Sequence, residues 1–374
     1  MSHARTILLN PGPTNTTNTV KRAMTQPDIC PRERTFAEII HKVCEQLTRV
    51  VHEHDRYTAV PIGGSGTAAV EAAIASAVPA DGRLMIVDNG SYGARMAEIA
   101  DAYGLASHVE RFGVGTYPDL SRIRRLLETG DYTQLAVVHH ETSTGMLNPV
   151  AAIGRLCREH DVELIVDAMS SYAGVPIDVE ALGIDFLVSS SNKCLHGMAG
   201  LSFVICRKAR LAQMQPALGR SYYLSLSAQY EFLRKTGQMR FTPPVQVIFA
   251  LEQALVEFFD EGGASGRHRR YLQNWEVLDS GLREIGFRRL LPDAVLSHIL
   301  TAYLEPDHSN YSFEEFHDRL YSKGFTIYPG KSTQHNTFRL ANMGAIEVSD
   351  LRNFLDALRA TVSEMHLEPL YSTT

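Results

Sequence analysis

Cysteine is scarce in this sequence, and its placement argues against two kinds of scaffold. The cysteines number five, and no two of them stand in a Cys-x-x-Cys pair. A disulfide framework and a structural zinc site both depend on paired or closely spaced cysteines. We therefore expect neither, and we interpret Cys194 as a small buried residue even though it follows the lysine discussed below.

Long apolar runs and basic, aromatic-rich stretches are also missing. No segment approaches the roughly 20 apolar residues that a membrane-spanning helix requires. The N-terminal MSHARTILLNPGP lacks the apolar core and cleavage site of a signal peptide. The formal net charge is −6, and the two basic clusters, RIRRLL and RHRR, contain no aromatic residues. These features predict a cytoplasmic protein that binds neither membranes nor nucleic acid.

The sequence does contain a regular alternation of short apolar runs and amphipathic helical patterns, from about residue 58 to residue 206. Near-continuous Val, Ile and Leu runs separated by helices are typical of a mainly parallel sheet covered on both faces. We therefore predict an α/β fold. Active sites in such sheets lie at the carboxyl ends of the strands, so the polar residues that follow each apolar run are the candidates for chemistry.

The length of the chain, 374 residues, suits a large domain and a smaller one. We predict an N-terminal arm over residues 1–20 that contributes to the active site, a large domain over residues 21–260, and a small α/β domain over residues 261–374. The glycine-rich stretch EGGASG, at residues 261–266, is the expected hinge.

Three polar motifs follow apolar runs. GGSGTAAVEA opens a helix, so its free N–H groups and the hydroxyls of Ser65 and Thr67 form a candidate anion site, although a tight turn without a ligand explains the motif equally well. Tyr92, in DNGSYGAR, either presents a flat face to a planar cofactor or caps an ordinary loop. HHETSTGMLNP supplies hydroxyl donors at residues 142–144. Its histidines lack the His-Glu-x-x-His spacing, so we predict no metal site.

The strongest signal is a pair of charged residues at the ends of two apolar strands. Asp167 follows ELIV directly, and a carboxylate there is costly unless it meets a cation. A protonated pyridine nitrogen is such a partner. Lys193 follows IDFLVSSSN, where low polarity lowers the pKa of a lysine and makes it a nucleophile and base. A structural salt bridge between the two is the alternative, but together with the anion turn they favour pyridoxal 5'-phosphate.

These motifs are similar to those of a known family. LLNPGPT, GGSGTAAVEA, NGSYGAR, HHETSTGMLNP, VDAMSS, SSSNKC, RFTPPV and FRLANMG resemble the small fold-type-I aminotransferases of the alanine–glyoxylate group. The resemblance extends from about residue 7 to about residue 360 and, through VDAMSS and SSNKC, is closest to the branch that acts on 2-aminoethylphosphonate. It implies the pyridoxal-phosphate transferase fold of type I, with a mainly parallel, seven-stranded type of sheet and a smaller C-terminal α/β domain.

The resemblance also implies roles for individual residues. Lys193 would bind pyridoxal 5'-phosphate covalently and move the substrate proton, Asp167 would pair with the ring nitrogen, and Tyr92 would stack on the ring. The other implied cofactor contacts are Ser65, Gly66 and Thr67 at the phosphate, Ser143 or Thr144 near the ring, Ser190, and Thr242 from across a dimer interface. The implied substrate contacts are Arg339, which would bind an anionic group, and Asn10 and Gly12 in the loop that covers the pocket.

The activity that the resemblance implies is transfer of the amino group of 2-aminoethylphosphonate to pyruvate, giving phosphonoacetaldehyde and alanine reversibly. The implied partners are an aminophosphonate, an oxoacid and a second copy of the chain in a homodimer with shared active sites. Ala341, where the family commonly has glycine, and the stretch TQPDICPRERTF depart from the pattern. An alanine– or serine–glyoxylate-type aminotransferase is therefore the alternative. A non-catalytic nucleotide-binding module would leave Asp167 and Lys193 unexplained.

Overall fold

The computed structural model describes residues 5–51, 55–214, 220–330 and 335–371. Its strands are β1 (Ile7–Leu8), β2 (Tyr57–Gly63), β3 (Leu84–Asp88), β4 (Ser107–Arg111), β5 (Gln134–Val138), β6 (His140–Glu141), β7 (Met146–Leu147), β8 (Glu163–Asp167), β9 (Phe186–Ser190), β10 (Leu201–Arg207), β11 (Leu300–Leu304), β12 (Phe325–Thr326), β13 (Tyr328–Pro329) and β14 (Thr337–Ala341). Its helices are α1 (Asn18–Ala23), α2 (Arg34–Arg49), α3 (Gly66–Ala77), α4 (Ser91–Ala102), α5 (Leu120–Leu127), α6 (Val150–Glu159), α7 (Lys208–Gln213), α8 (Leu226–Thr236), α9 (Val245–Asp260), α10 (Gly263–Ile285), α11 (Phe313–Ser322) and α12 (Val348–Glu364).

A seven-stranded sheet with the order β2-β10-β9-β8-β5-β3-β4 forms the centre of the molecule. The strands from β9 to β4 are all parallel, whereas β10 is antiparallel to both of its neighbours. The predicted mainly parallel sheet of the α/β class is therefore confirmed. Because parallel strands end at the same edge, β5, β8 and β9 deliver the residues that follow them to one place.

Both faces of this sheet are covered by apolar side chains, as near-continuous Val, Ile and Leu strands require. Adjacent strand residues point to opposite faces, so Ile86 packs in one cluster and Val87 in the other. Helices α2, α6 and α9 contribute Phe36, Ile153 and Ile248 to the Val87 side. Helices α3, α4 and α8 close the Ile86 side. The sheet is thus held rigidly on both faces and can present a precise edge.

The C-terminal part contains a three-stranded antiparallel sheet with the order β11-β14-β13, and α11 and α12 pack beside it. Its core combines leucine and isoleucine side chains with aromatic rings, of which Phe316, Phe338 and Phe354 are fully buried. The N-terminal arm joins this part rather than the large sheet, since β1 pairs in parallel with β12. The backbone N–H of Ala341 also donates to Leu9 O at 2.9 Å. The predicted arm therefore runs beside β14.

The stretch EGGASG forms a tight turn between two long helices. Helix α9 ends at Asp260, and α10 already begins at Gly263. Gly262 and Gly263 have φ values of +94° and +66°, which glycine adopts without strain. The turn is confined to Glu261 and Gly262, and the last four residues of the stretch already belong to α10. The division into arm, large domain and small domain stays a prediction.

Candidate active site

Lys193 lies in the loop after β9 and is in contact with the N-terminal arm. Its Nζ donates to Pro11 O at 2.5 Å. Gly12, with φ +127°, lies so close that a Cβ there would be 2.5–2.8 Å from the lysine side chain. Burial lowers the pKa of Lys193, and nearby Arg339 lowers it further, whereas Tyr92 and Asp167 oppose the shift. The neutral amine, which is the nucleophilic form, is therefore favoured.

Asp167 ends the neighbouring strand β8, and only 5% of it is exposed. Its Oδ1 accepts the N–H of Met169 at 2.9 Å. Among the described residues no Lys, Arg or His nitrogen lies within 4.0 Å of its carboxylate. Burial raises the pKa of Asp167 to about 6, although the Met169 N–H, Arg95 and Lys193 all oppose this shift. A buried acid without a cation is the environment that a pyridinium nitrogen would satisfy.

The turn before α3 lies against the same edge. Gly66 begins α3 so close to Met169 that a Cβ at this position would collide with the methionine sulfur. Ser65 is the N-cap of the helix, yet its side chain makes no capping hydrogen bond and is exposed. Thr67 lies in the first turn and is partly buried. The free N–H groups of this 12-residue helix therefore open beside the Asp167 loop, as a phosphate site requires.

Tyr92 lies in the first turn of α4, and a buried glutamate anchors this helix. The carboxylate of Glu141, with 0% exposure, accepts the N–H groups of Tyr92 at 3.1 Å and Gly93 at 3.3 Å. Burial raises the pKa of Glu141, while these N–H donors oppose the rise. The guanidinium of Arg95 lies 4.8 Å from the centroid of the Tyr92 ring. The position of the predicted stacking ring is thus set by a buried anion at a helix N-terminus.

The hydroxyls of residues 142–144 differ in their surroundings. Ser143 Oγ donates to Glu141 and accepts the N–H of Ser91 at 3.2 Å. Thr144 Oγ1 donates to Glu141 O at 3.3 Å. The Ser143 hydroxyl thus helps to hold the α4 terminus and the Thr144 hydroxyl bonds within its own turn, whereas among the described residues the Thr142 hydroxyl has no hydrogen-bond partner. The contact of Ser143 or Thr144 with the cofactor stays a prediction.

Arg339 is a buried cation in the middle of β14, and only 1% of it is exposed. Its Nε donates to Pro329 O at 3.0 Å and its Nη1 to Thr142 O at 3.1 Å, and it also hydrogen-bonds the Tyr92 side chain. Among the described residues it has no carboxylate within 4.0 Å. Burial lowers the pKa of Arg339, although Tyr92 opposes the shift. A buried guanidinium that faces carbonyls and a phenol can bind an anionic ligand with its remaining donors.

Three other predicted residues are placed as follows. Asn10 is buried and its Nδ2 donates to Pro13 O at 3.2 Å, while its buried Oδ1 has no hydrogen-bond partner within the described part of the chain. Ser190 ends β9, and its Oγ donates to Asn192 at 2.9 Å. Thr242 is exposed, in the loop before α9. Its neighbour Phe241 stacks on Tyr223 at 4.7 Å, and Tyr223 donates to Gly63 O at 3.2 Å. The Thr242 loop therefore lies next to the turn before α3.

The edge of the sheet thus combines a lysine with a lowered pKa, a buried acid, a helix N-terminus and a buried guanidinium. A model of the aminotransferase class-V family matches residues 14–349 of this chain. The chain belongs to the class-V aminotransferases.

Other members of this class are similar over nearly the whole chain. The 2-aminoethylphosphonate–pyruvate transaminase of Klebsiella pneumoniae subsp. pneumoniae is 42% identical over 361 residues, which are 96% of this chain and 98% of the relative. That of Syntrophobacter fumaroxidans is 43% identical over 355 residues, covering 94% and 95%. The crystal structure of an alanine–glyoxylate aminotransferase from Nostoc sp. has a TM-score of 0.90 and 27% identity, covering 97% and 96%.

Sequence reasoning missed several contacts of this aminotransferase site. The sequence indicated Glu141 only as part of the segment His139-His140-Glu141, a possible metal site. In the structure these three side chains have separate partners. His139 is 3.0 Å from Ser171 Oγ, and His140 is 2.9 Å from Ser297 Oγ. Burial lowers the pKa of His139 to about 4 and that of His140 to about 3, so both are neutral. The available signal was an acidic residue three positions after the apolar run of β5, because a carboxylate buried there needs hydrogen-bond donors.

Proposed function

We propose that this aminotransferase uses pyridoxal 5'-phosphate to move the amino group of 2-aminoethylphosphonate to pyruvate, giving phosphonoacetaldehyde and alanine reversibly. The observation that carries the proposal is the buried guanidinium of Arg339, which has no carboxylate partner among the described residues and acts on the pKa of Lys193. Relatives more than 40% identical are named for this reaction. A doubly charged phosphonate suits a buried planar cation with free donors.

The residues present fit pyridoxal 5'-phosphate. Asp167 is a carboxylate whose pKa burial raises to about 6, and among the described residues it has no cation within 4.0 Å; a pyridinium nitrogen would supply one. Ser65, Gly66 and Thr67 would hold the phosphate at the N-terminus of α3, where the N–H groups and the Ser65 hydroxyl are free of capping bonds. Tyr92 would lie against the ring, and Lys193 would hold the carbonyl carbon.

The bound cofactor supplies an electron sink for the negative charge that develops on the substrate carbon bearing the nitrogen. Lys193 Nζ moves the proton at that carbon, for which the neutral amine favoured by burial is the competent base. The carbonyl of Pro11 accepts an Nζ–H and so orients the amine. Asp167 keeps its partner nitrogen protonated as long as the carboxylate itself is ionised.

Arg339 holds the anionic end of each substrate in turn, first the phosphonate of the donor and then the carboxylate of pyruvate. Its Nε and Nη1 are fixed by the carbonyls of Pro329 and Thr142, so the guanidinium plane is set before substrate arrives. Asn10 and Gly12 would cover the pocket from the arm. The buried Oδ1 of Asn10, which has no partner among the residues that the structure describes, would accept an N–H donor there.

The active form in this proposal is a homodimer in which Thr242 reaches the phosphate of the partner's site. Thr242 is exposed next to an aromatic surface formed by Tyr222, Tyr223 and Phe241. Tyr222 is 77% exposed, and Arg240 lies 4.7 Å from its ring centroid. Exposed aromatic and arginine side chains are enriched in protein interfaces. No described helix is long and apolar enough to span a membrane; a cytoplasmic location stays a prediction.

An alanine– or serine–glyoxylate-type reaction is the second candidate, because a guanidinium binds a carboxylate as readily as a phosphonate and the Nostoc enzyme shares the fold. A panel of amino donors separates the two. With pyruvate as acceptor, 2-aminoethylphosphonate is expected to give alanine at a kcat/KM at least tenfold above that of serine. Turnover of serine with glyoxylate and none of the phosphonate would support the second candidate instead.

The cofactor is tested independently of the substrate. The purified protein is expected to be yellow, and borohydride should attach the cofactor to the peptide that contains Lys193, as read by mass spectrometry. A colourless protein that takes up no pyridoxal 5'-phosphate would contradict the proposed use of this cofactor and therefore the proposed reaction.

A further inference from the structure

Helix α10 lies behind two loops of the site and contacts both. The lysine loop comprises residues 193–197, and the arginine loop comprises residues 342–346, which follow the strand of Arg339. Tyr271, fully buried in α10, places its hydroxyl 2.5 Å from His196 Nε2 in the lysine loop. The same hydroxyl accepts the N–H of Gly344 in the arginine loop at 3.2 Å. One phenol oxygen thus joins the two loops.

The lysine loop is held to α10 close to Lys193 itself. The N–H of His196 donates to Lys193 O at 2.9 Å, so the turn that ends at His196 begins at the lysine. His196 has a φ of +64°, a left-handed conformation that is uncommon for residues other than glycine. Arg267, also in α10, donates to Cys194 O at 2.6 Å. The backbone of Lys193 therefore has little freedom to move relative to α10.

The arginine loop is held to the same turns of α10. The Nδ2 of Asn342 donates to Tyr271 O at 2.8 Å. Arg270 donates to Gly344 O at 3.0 Å, and Asn274 donates to Ile346 O at 3.0 Å. These bonds begin three residues after Arg339 along a short strand. A shift of this loop relative to α10 would therefore move the guanidinium.

The hydrogen bonds at the Tyr271 oxygen have a consistent direction. His196 is neutral, because burial lowers its pKa well below the ordinary range and the charges of Arg267 and Arg270 act in the same sense. A neutral imidazole with its proton on Nδ1 accepts at Nε2, and in that tautomer the phenol O–H donates to His196 while its oxygen accepts from Gly344. The phenol is thus both donor and acceptor, which phenylalanine cannot replace.

We infer that Tyr271 is a positioning residue that sets the distance between Lys193 and Arg339. That distance decides whether a substrate held by its anionic end presents its amino-bearing carbon to the lysine. A ligand that uses only one of the two groups does not depend on the distance. The inference rests on the proposed function in one respect, namely that Lys193 and Arg339 act on the same substrate molecule.

The test compares three ligands on the holoenzyme of Tyr271→Phe and of the wild type. For 2-aminoethylphosphonate, which has both an amine and an anion, kcat/KM is expected to fall at least about tenfold. Ethylamine has no anion, and the rate of its half-reaction, followed by cofactor absorbance, should change less than about twofold. Ethylphosphonate has no amine, and its dissociation constant, measured by calorimetry, should also change less than about twofold. Such a pattern would show that the substitution changes the distance between Lys193 and Arg339 and leaves each group able to act alone.

Two further variants make the result unambiguous. Tyr303→Phe is the matched control, since Tyr303 is equally buried and its hydroxyl also bonds a residue of α10, Asp279, at 3.1 Å. It should leave all three ligands unaffected. His196→Asn keeps a residue type that tolerates positive φ but removes the imidazole, and it should reproduce the pattern of Tyr271→Phe.

Two outcomes overturn the inference, namely an unchanged kcat/KM for 2-aminoethylphosphonate in both Tyr271→Phe and His196→Asn, or an equal fall for ethylamine. Failure of the proposed function looks different, because the wild type itself would then not turn over 2-aminoethylphosphonate. In that case alanine with glyoxylate, against ethylamine and propionate, provides the same comparison of two-ended and one-ended ligands.

Discussion

At the scale of single residues, the candidate site combines ionisable groups that each lack a full partner within the described chain. Asp167 has no cation within 4.0 Å, and Arg339 has no carboxylate. They do not pair with each other, because one ends a strand of the large sheet and the other lies within β14. Each group therefore remains available to a ligand of opposite charge, and each lowers the stability of the ligand-free protein.

The Asp167→Asn variant tests how much the buried Asp167 carboxylate lowers the stability of the protein, because this loss depends on pH. The folded pKa of Asp167 is about 6, above its ordinary value of 3.8, so folding favours the protonated acid. The penalty is absent below pH 3.8, grows as pH rises through that value, and is complete above pH 6, where it reaches about 3 kcal/mol. Urea unfolding of the apoprotein should show the variant more stable than wild type at pH 8, and this advantage should vanish near pH 4.

The cofactor provides the control for that experiment. Added pyridoxal 5'-phosphate should stabilise the wild type more than Asp167→Asn, because only the carboxylate gains an ionic partner. Equal stability of the two apoproteins at pH 8 would show that burial of Asp167 is not costly.

Arg339→Lys tests the role of the guanidinium plane. Lysine keeps the charge but loses the fork of donors, so kcat/KM for 2-aminoethylphosphonate should fall about 100-fold, mainly through KM. Steady-state kinetics with coupled detection of alanine measures this. Arg319→Lys is the control, since that partly exposed arginine bonds Glu315 on α11, away from the candidate site. An undiminished kcat/KM in Arg339→Lys would mean that a point charge is sufficient.

At the scale of elements, the arm acts on Lys193 through a residue without a side chain. Gly12→Ala would put a Cβ 2.5–2.8 Å from the lysine side chain, so the lysine or the arm must move. We expect turnover to fall at least 100-fold and borohydride labelling of Lys193 to weaken. Gly104→Ala is the matched control: it also has positive φ, +61°, but nothing lies within 4 Å of its Cβ. Similar losses in both variants would point to backbone strain alone.

The N-terminus of α4 depends on a buried carboxylate. Glu141→Ala leaves the N–H groups of Tyr92 and Gly93 without their acceptor, which should cost about 1–3 kcal/mol of unfolding free energy. Glu141→Gln keeps one acceptor oxygen and should lose less. Thermal melting of the two holoenzymes shows which variant is less stable. A melting temperature for Glu141→Ala at or above that of Glu141→Gln would contradict an anchoring role.

The placement of Asp167 and Lys193 was predictable from sequence because it follows from a local rule. Asp167 comes directly after a run of buried apolar residues, Lys193 follows such a run after four polar residues, and parallel strands end at one edge. The contacts of Glu141 and Tyr271 were not predictable in this way. Tyr271 lies in a helix whose pattern indicates only packing, and its partners are separated from it by more than 70 residues. Such contacts depend on tertiary structure.

At the scale of the whole molecule, the site is assembled from three distant parts of the chain. The arm supplies Pro11 and Gly12, the large sheet supplies Asp167 and Lys193, and β14 supplies Arg339. The α/β class followed from the alternation of strands and helices. The pairing of β1 with β12 did not, because two-residue strands carry no periodic signal. The Thr242 contact depends on a second chain and stays a prediction.

Shared sites can be tested by mixing two inactive or impaired variants. Lys193→Ala and Thr242→Ala chains, refolded together, should form heterodimers in which one site has the lysine and the threonine intact. With random pairing, roughly a quarter of all sites would then be fully functional. Activity at limiting pyridoxal 5'-phosphate should exceed the mean of the two separate variants. Activity equal to that mean would indicate sites built within one chain.

We expect the pairing of the arm with the C-terminal part to delay the completion of the site during synthesis. Residues 7 and 8 leave the ribosome well before their partners at residues 325 and 326, which follow only after most of the chain. At roughly 5–20 residues per second, this interval is on the order of tens of seconds. Because Pro11 follows β1 by three residues, we expect its carbonyl to reach Lys193 only after this pairing has formed. We therefore expect a truncated or stalled chain to have a Lys193 amine that the arm does not yet orient.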